Sequence, residues 1–287
     1  MATERTYEHL EVRLADQVAT ITLNRPEVLN ACNSATHREV QAAFDEIEAD
    51  DQVRVVVLAG AGRAFCSGSD LRETGKLVGV EARRYIQLDF GCKNRIAACA
   101  KPVIAALHGH VAGGGFEMAL ACDIRIVAEN VLFSLPEIVL GTIPGSGGLE
   151  RLPQIVGLGI AKEWALTGRR IDAAEAFQRG LANKVVALDR LLPEAQAFAR
   201  ELAQRSPTAL ALAKVALDHE QASTSGLVLT YHLNFARQLA DAAFSAAPRA
   251  LGIYPIGWCK EFFARWFRPT APRKIKTLLS SRAKFRY

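Results

Sequence analysis

The sequence has no CxxC pair: its six cysteines, Cys32, Cys66, Cys92, Cys99, Cys122 and Cys259, are scattered over 287 residues. That spacing excludes a zinc ribbon, gives no disulfide frame, and fits reduced thiols in a cytosol-like compartment. No apolar run has the length to span a bilayer. The opening residues MATERTYEHLEVRL lack the apolar segment of a secretory signal, so the expected location is cytoplasmic. Acids are almost missing from 248–287, which hold ten Lys/Arg against Glu261 alone, a local balance of +9. The net charge of +5 and the pI near 8.9 therefore belong to a tail, and the other 247 residues sum to −4. A mildly acidic body gives no reason to expect nucleic acid as its partner.

What is present is apolar residue, 50% of the chain, enough to bury the core of one large domain or of a domain with an appendage. Tyr7–Leu14 and Val18–Asn24 read as a hairpin around Ala15-Asp16-Gln17. Asn33 or Ser34 can cap a helix running to about Ala49, with Val40, Phe44 and Ile47 at helical spacing. Val53–Leu58 is nearly all apolar, as a strand buried on both faces of a parallel sheet would be. A glycine-punctuated loop (Gly60–Leu71), a helix (Val80–Ala98), a strand (Val103–Leu107), a glycine-rich turn and a helix from Gly114 follow. Ile124–Val127 and Val131–Ser134 read as short strands. Beyond Gly145 the chain is helical apart from Lys184–Ala187, with longer helices over Leu191–Arg205, Pro207–Gln221 and Gly226–Ala246. The order is a layered α/β one with function at the loops that follow strands.

One stretch, from His108 to Gly147, combines Gly113-Gly114-Gly115 with two carboxylates in apolar surroundings, Glu117 and Glu137. Glycine at a strand-to-helix turn lets backbone N–H groups approach a ligand closely, and the same turn also serves plain close packing. No lysine follows to make it a nucleotide loop. Glu117 can alternatively complete a capping box, and Glu137, after Pro136, can sit in the first turn of a short helix for its dipole alone. Burying two carboxylates without a purpose is costly, which makes the pair a candidate site.

Several motifs, in order, then resemble one family. Asn24-Arg25-Pro26 with Leu29-Asn30, Ala64-Phe65-Cys66-Ser67-Gly68-Ser69-Asp70-Leu71, and Lys101-Pro102-Val103-Ile104-Ala105-Ala106 with Gly109 and Gly113-Gly114-Gly115 resemble the crotonase superfamily of enoyl-CoA hydratases and isomerases. So do Pro136-Glu137 with Pro144-Gly145-Ser146-Gly147-Gly148, and Leu166-Thr167-Gly168 with Ala174-Glu175-Ala176 and Gly180-Leu181. The resemblance covers roughly 8–245. It implies a crotonase-like spiral of repeated ββα units (1–205), a C-terminal helical oligomerisation region (206–247), and a homotrimer or dimer of trimers; 248–287 is an atypical basic aromatic tail. It also implies an acyl-CoA thioester substrate, as in fatty acid β-oxidation, with CoA part of the substrate and no separate cofactor or metal.

By position, the resemblance makes the backbone N–H groups of Ser69 and Gly114 the oxyanion-hole donors. It puts Ser67, Gly68, Asp70, Leu71, Arg72 and Gly113 around the substrate, with Arg72 near the CoA phosphates. Each fixed amide donor at a developing oxyanion is worth roughly 2.7–4 kcal/mol in the transition state. Adding water across a conjugated C=C needs one proton taken from water and one given to C2, which two carboxylates can divide. Glu117 is assigned to the water as base and Glu137 to C2 as acid. The expected activity is enoyl-CoA hydratase; the alternatives are an enoyl-CoA delta-isomerase, or a scaffold binding RNA or membrane through its tail.

Departures from the family pattern are Glu27 after Arg25-Pro26 and Leu149-Glu150 after Gly148. Asp123 is expected as a structural hydrogen-bond partner, His108 and His110 as loop histidines, and Cys66 as packing. In the tail, Trp258, Phe262, Phe263, Trp266 and Phe267 stand at near-helical spacing among Lys260, Arg265 and Arg268, which suits either a packing helix or a basic membrane-surface helix.

Overall fold

The computed structural model describes residues 3–219. In chain order it contains β1 (Thr3–Thr6), β2 (Leu10–Ala15), β3 (Val18–Leu23), α1 (Ser34–Ala49), β4 (Val55–Gly60), α2 (Leu71–Thr74) and α3 (Gly79–Ala97). Then come β5 (Val103–Leu107), β6 (His110–Ala112), α4 (Gly114–Leu120), β7 (Ile124–Ala128), β8 (Leu132–Ser134) and a 3-10 turn at Pro136–Leu140. The rest is α5 (Gly148–Val156), α6 (Leu158–Thr167), β9 (Ile171–Asp172), α7 (Ala173–Gln178), β10 (Lys184–Val186), α8 (Leu191–Ala203) and α9 (Pro207–His219).

A seven-stranded sheet has the order β1-β2-β3-β4-β5-β7-β10. The β1–β2–β3 pairs are antiparallel, and every later neighbour is parallel. The β2–β3 turn places Asp16 and Gln17 at φ 52° and 64°, the left-handed pair that matches strand twist. Alternation in β4 divides the core. Val56 and Leu58 face the large cluster with Phe44, Ile47 and Ile96, whereas Val55, Val57 and Ala59 face Leu191, Ala195, Ala199 and Ala203 of α8. Alanines at i, i+4 and i+8 (Ala195, Ala199 and Ala203) let α8 lie close against the sheet. α1 begins where expected, with the Asn33 side chain accepting from Thr36 N–H at 2.8 Å.

A second sheet, β6-β8-β9, has strands of two and three residues. Pieces that short carry no readable period, so β6 and β9 were not expected from the sequence. The first hairpin strand starts at Leu10 rather than Tyr7, because the N–H groups of Glu8 and His9 donate to the Glu39 carboxylate of α1. The end of the helix expected over Pro207–Gln221, the helix expected over Gly226–Ala246 and the aromatic tail lie outside the described residues. Among the described residues no helix is long and apolar enough to cross a membrane.

Candidate active site

The loop after β4 is stitched between two other segments. Cys66 N–H donates to His110 O (3.2 Å) and Ala112 N–H donates to Cys66 O (3.0 Å), which joins the loop to β6. On its other side Cys32 N–H donates to Gly68 O and Asp70 N–H to Cys32 O, both at 2.8 Å. Gly68 has φ +105°, and a Cβ there would lie 2.9 Å from Ala112 O and 3.3 Å from Gly114 N, so glycine alone brings the two loops this close. The result sets Ser69 N–H beside the first N–H of α4. A Cβ on Gly114 would stand 3.7 Å from Ser69 N. Among the described residues neither of these two N–H groups has a hydrogen-bond acceptor. A pair of adjacent unpaired amides is what a carbonyl oxygen gaining negative charge requires.

Glu117, in the first turn of α4, is 2% exposed. It does not cap its own helix. Its Oε1 accepts from Ser146 N–H (2.7 Å) and Gly148 N–H (2.9 Å) of the segment leading into α5. Burial pushes its pKa up against the opposing pull of Lys93 and the two amides. Glu137 does sit in the first turn of the 3-10 segment behind Pro136. Its Oε2 is buried without a hydrogen-bond partner, and its Oε1 would lie 2.9 Å from a Cβ on Gly113, whose φ of +52° explains glycine at that position. Burial, reinforced by the charge of nearby Glu117, raises the Glu137 pKa to about 7. The two carboxylates are therefore unequal: one is tethered by amides, the other has an unpartnered oxygen and holds its proton to near neutrality.

The other expected residues divide by what they touch. Ser67 N–H donates to Leu29 O (3.0 Å), which holds the start of the loop. The Asp70 carboxylate is engaged within the protein. Oδ1 accepts from Arg72 N–H (3.0 Å) to cap α2, and Oδ2 pairs with Arg25 (3.1 Å), so the side chain shapes the loop. Leu71 is exposed, and Arg72 lines a surface cleft of about 570 Å³ with Ser34, Arg38, Glu73 and Lys76. Asp123 Oδ2 accepts from Val103 N–H (2.7 Å) and pairs with Lys214 (2.9 Å), a structural role. His108 Nε2 is 2.9 Å from Gly62 O, and His110 opens β6 on the surface. Among the described residues no cluster of three His, Cys, Asp or Glu side chains is placed to hold a metal ion.

One group near the site was missed from the sequence. Tyr85, Asp89 and Lys93 form a buried polar stripe along α3. Lys93 is fully buried and pairs with Asp89 one turn earlier. Asp89 Oδ1 also faces His37 Nε2 (3.1 Å), and Ser146 Oγ donates to Oδ2. Tyr85 O–H donates to Cys32 O (3.0 Å) and lies 3.2 Å from His37 Nε2. The signal was present as Tyr, Asp and Lys at i, i+4 and i+8, but ionic residues four apart usually lie on a solvated helix face.

Comparison with known proteins agrees with this geometry. The family model for enoyl-CoA hydratase/isomerase matches residues 13–253. A probable enoyl-CoA hydratase of Rhizobium meliloti is 41% identical over 248 residues, 86% of this chain and 94% of the relative. A short-chain-enoyl-CoA hydratase of Clostridium acetobutylicum is 41% identical over 203 residues, 70% of this chain and 78% of the relative. A crystal structure of an enoyl-CoA hydratase from Bacillus anthracis superposes with TM-score 0.77 at 35% identity, covering 89% of this chain and 97% of that one. With its paired amides, its two glutamates and these relatives, the chain belongs to the enoyl-CoA hydratase/isomerase family, within the crotonase superfamily.

Proposed function

We propose that the protein is an enoyl-CoA hydratase that adds water across the 2,3 double bond of a trans-2-enoyl-CoA to give a 3-hydroxyacyl-CoA. The observation that carries this reading is the placing of two unequal carboxylates, Glu117 buried and Glu137 half-buried, beside one pair of acceptor-free amides. The thioester oxygen accepts from Ser69 and Gly114 N–H, which draws charge off the conjugated system and opens C3 to attack. Glu117, held by the N–H groups of Ser146 and Gly148, takes a proton from water as its oxygen bonds to C3. Glu137, whose raised pKa of about 7 keeps a large share of it protonated at neutral pH, gives its proton to C2 as the enolate collapses. Water supplies O–H and H, so the two glutamates exchange protonation and must reset before the next turnover.

CoA enters as part of the substrate, with its adenine against the backbone of Ser67–Ser69 and its phosphates toward Arg72. The reading places the enzyme in the cytoplasm, on the strength of five buried unpaired cysteines among the described residues. It also makes the protein a homotrimer or a dimer of trimers. The relatives include a crotonyl-CoA hydratase of Syntrophomonas wolfei, which makes crotonyl-CoA the first substrate to test.

The assay follows loss of the conjugated enoyl-thioester absorbance. Glu117→Gln and Glu137→Gln are each expected to lower kcat by roughly 10²–10⁴-fold with the fold retained. Wild-type turnover in either variant defeats the two-carboxylate mechanism. A 3-enoyl-CoA that becomes conjugated without uptake of water would instead make the protein a delta-isomerase.

A further inference from the structure

The ion pair of α3 has no role in the chemistry so far. As a stability device it is poorly chosen, because a buried ion pair is often matched or bettered by apolar side chains of similar volume. Its location is more informative. Lys93 Nζ, Ser69 Oγ and Ser69 N lie 3.5, 3.6 and 3.7 Å from the point that a Cβ on Gly114 would occupy. The ammonium thus lies in the neighbourhood of the two acceptor-free amides, and it is 0% exposed, so water does not screen its field. Asp89 pairs with it from the preceding turn of α3. The other oxygen of Asp89 takes the Ser146 hydroxyl, and Ser146 N–H holds Glu117.

We propose that the Asp89–Lys93 pair is the electrostatic backing of this pocket: Lys93 stabilises the enolate oxygen through and alongside the Ser69 and Gly114 amides, and Asp89 is the positioning residue that fixes both Lys93 and the Ser146 tether of Glu117. The proposal rests on the acyl-thioester reading of the pocket. Pairing makes the buried ammonium permanent. Burial, the largest single influence, pulls the Lys93 pKa down, but Asp89 together with Cys92 and Cys32 pulls it up by more, and the lysine stays protonated throughout the working range. The same charge also divides the glutamates. Glu117 is faced by Lys93 and Asp89 from α3, by Glu137 from the 3-10 turn and by Arg151 from α5. Lys93 draws the Glu117 pKa down, while Glu137 receives no such relief and is pushed up by both Glu117 and Asp89. Lys93 accordingly favours ionisation of Glu117 over that of Glu137.

The test uses the full chain and acetoacetyl-CoA, whose enol form ionises within an oxyanion pocket and is read by its near-ultraviolet absorbance. In Lys93→Met the pH midpoint of bound-enolate formation is expected to rise by about one unit, a tenfold weaker preference for the anion. With crotonyl-CoA, kcat should fall about tenfold or more while KM stays within about twofold. The acid limb of kcat/KM should move to higher pH, because a carboxylate deprived of a nearby cation binds its proton more tightly. Lys93→Arg should keep the midpoint near that of wild type. Since Lys93→Met strands the Asp89 charge, Asp89→Asn/Lys93→Met supplies a neutral pair, checked for folding by thermal unfolding. A folded double variant with unchanged enolate midpoint and unchanged kcat overturns the proposal. A wild-type protein that ionises acetoacetyl-CoA but does not hydrate crotonyl-CoA removes the hydratase reading and leaves the midpoint shift to judge this one; failure to bind acetoacetyl-CoA overturns both.

Discussion

At the scale of single residues, Glu137 carries a cost that can be measured without substrate. Its pKa is near 7 in the folded chain, against 4.5 for the free side chain. Below the unfolded value both states hold the proton and no penalty arises. As pH rises from there through 7 the unfolded chain releases its proton first, and folding stability falls. Glu137→Gln escapes this loss. The variant should therefore unfold at a higher temperature than wild type at pH 8, with the gap shrinking toward pH 5. Calorimetric Tm values at the two pH values check it, and a gap independent of pH would mean that burial does not act on this carboxylate. Its partner differs only in what surrounds it: Glu117 Oε1 takes two N–H groups, while Glu137 Oε2 takes none. Residue type and spacing picked out both glutamates in the sequence, but that asymmetry depends on a backbone turn at Ser146–Gly148, which no reading of residue types supplies.

Among elements, the long and apolar ones were legible in advance, as were the short strands β7, β8 and β10, whereas β1, β6 and β9 were not. α1 showed its Asn33 cap and its Val40, Phe44 and Ile47 face, and β4 showed its unbroken apolar run. The strands β6 and β9 exist because β8 pairs with both of them, and their sequences hold too few residues to declare a period. The stripe on α3 was hidden for another reason: Asp and Lys one turn apart look solvated until α1 and α4 cover them. Buried cations do structural work elsewhere as well. Arg125 of β7 donates to Leu181 O (2.7 Å) and Cys122 O (2.7 Å), clasping the end of α4 to the segment after α7. Arg125→Met would leave both carbonyls buried without a donor. Urea unfolding should show a loss of about 2–5 kcal/mol, on the ordinary cost of stranding buried acceptors. A loss below about 0.5 kcal/mol, the scale of a surface change, would mean that these carbonyls find other donors.

For the whole molecule, the remaining question is what covers the outer face of α5 and α6. Leu149, Leu158 and Leu166 are 42%, 59% and 69% exposed and rim a groove floored by Leu152 and Ala161. Apolar side chains gathered in this way on a lone chain favour association. Sedimentation velocity at micromolar concentration should therefore give a trimer or hexamer mass, and a monomer at that concentration would contradict the assembly proposed. The two amides proposed as the oxyanion pair have a different consequence for anyone mapping this protein by mutation. They belong to the backbone, so a systematic alanine scan would replace Ser69 and leave its donor in place. The hole would go unrecorded while the glutamates stood out. Only substitutions that move the chain, such as at Gly68, would expose it, and they would be scored as folding defects. Half of this site is thus encoded in the path of the main chain, and a reaction redesigned by exchanging Glu117 or Glu137 would inherit that half unchanged.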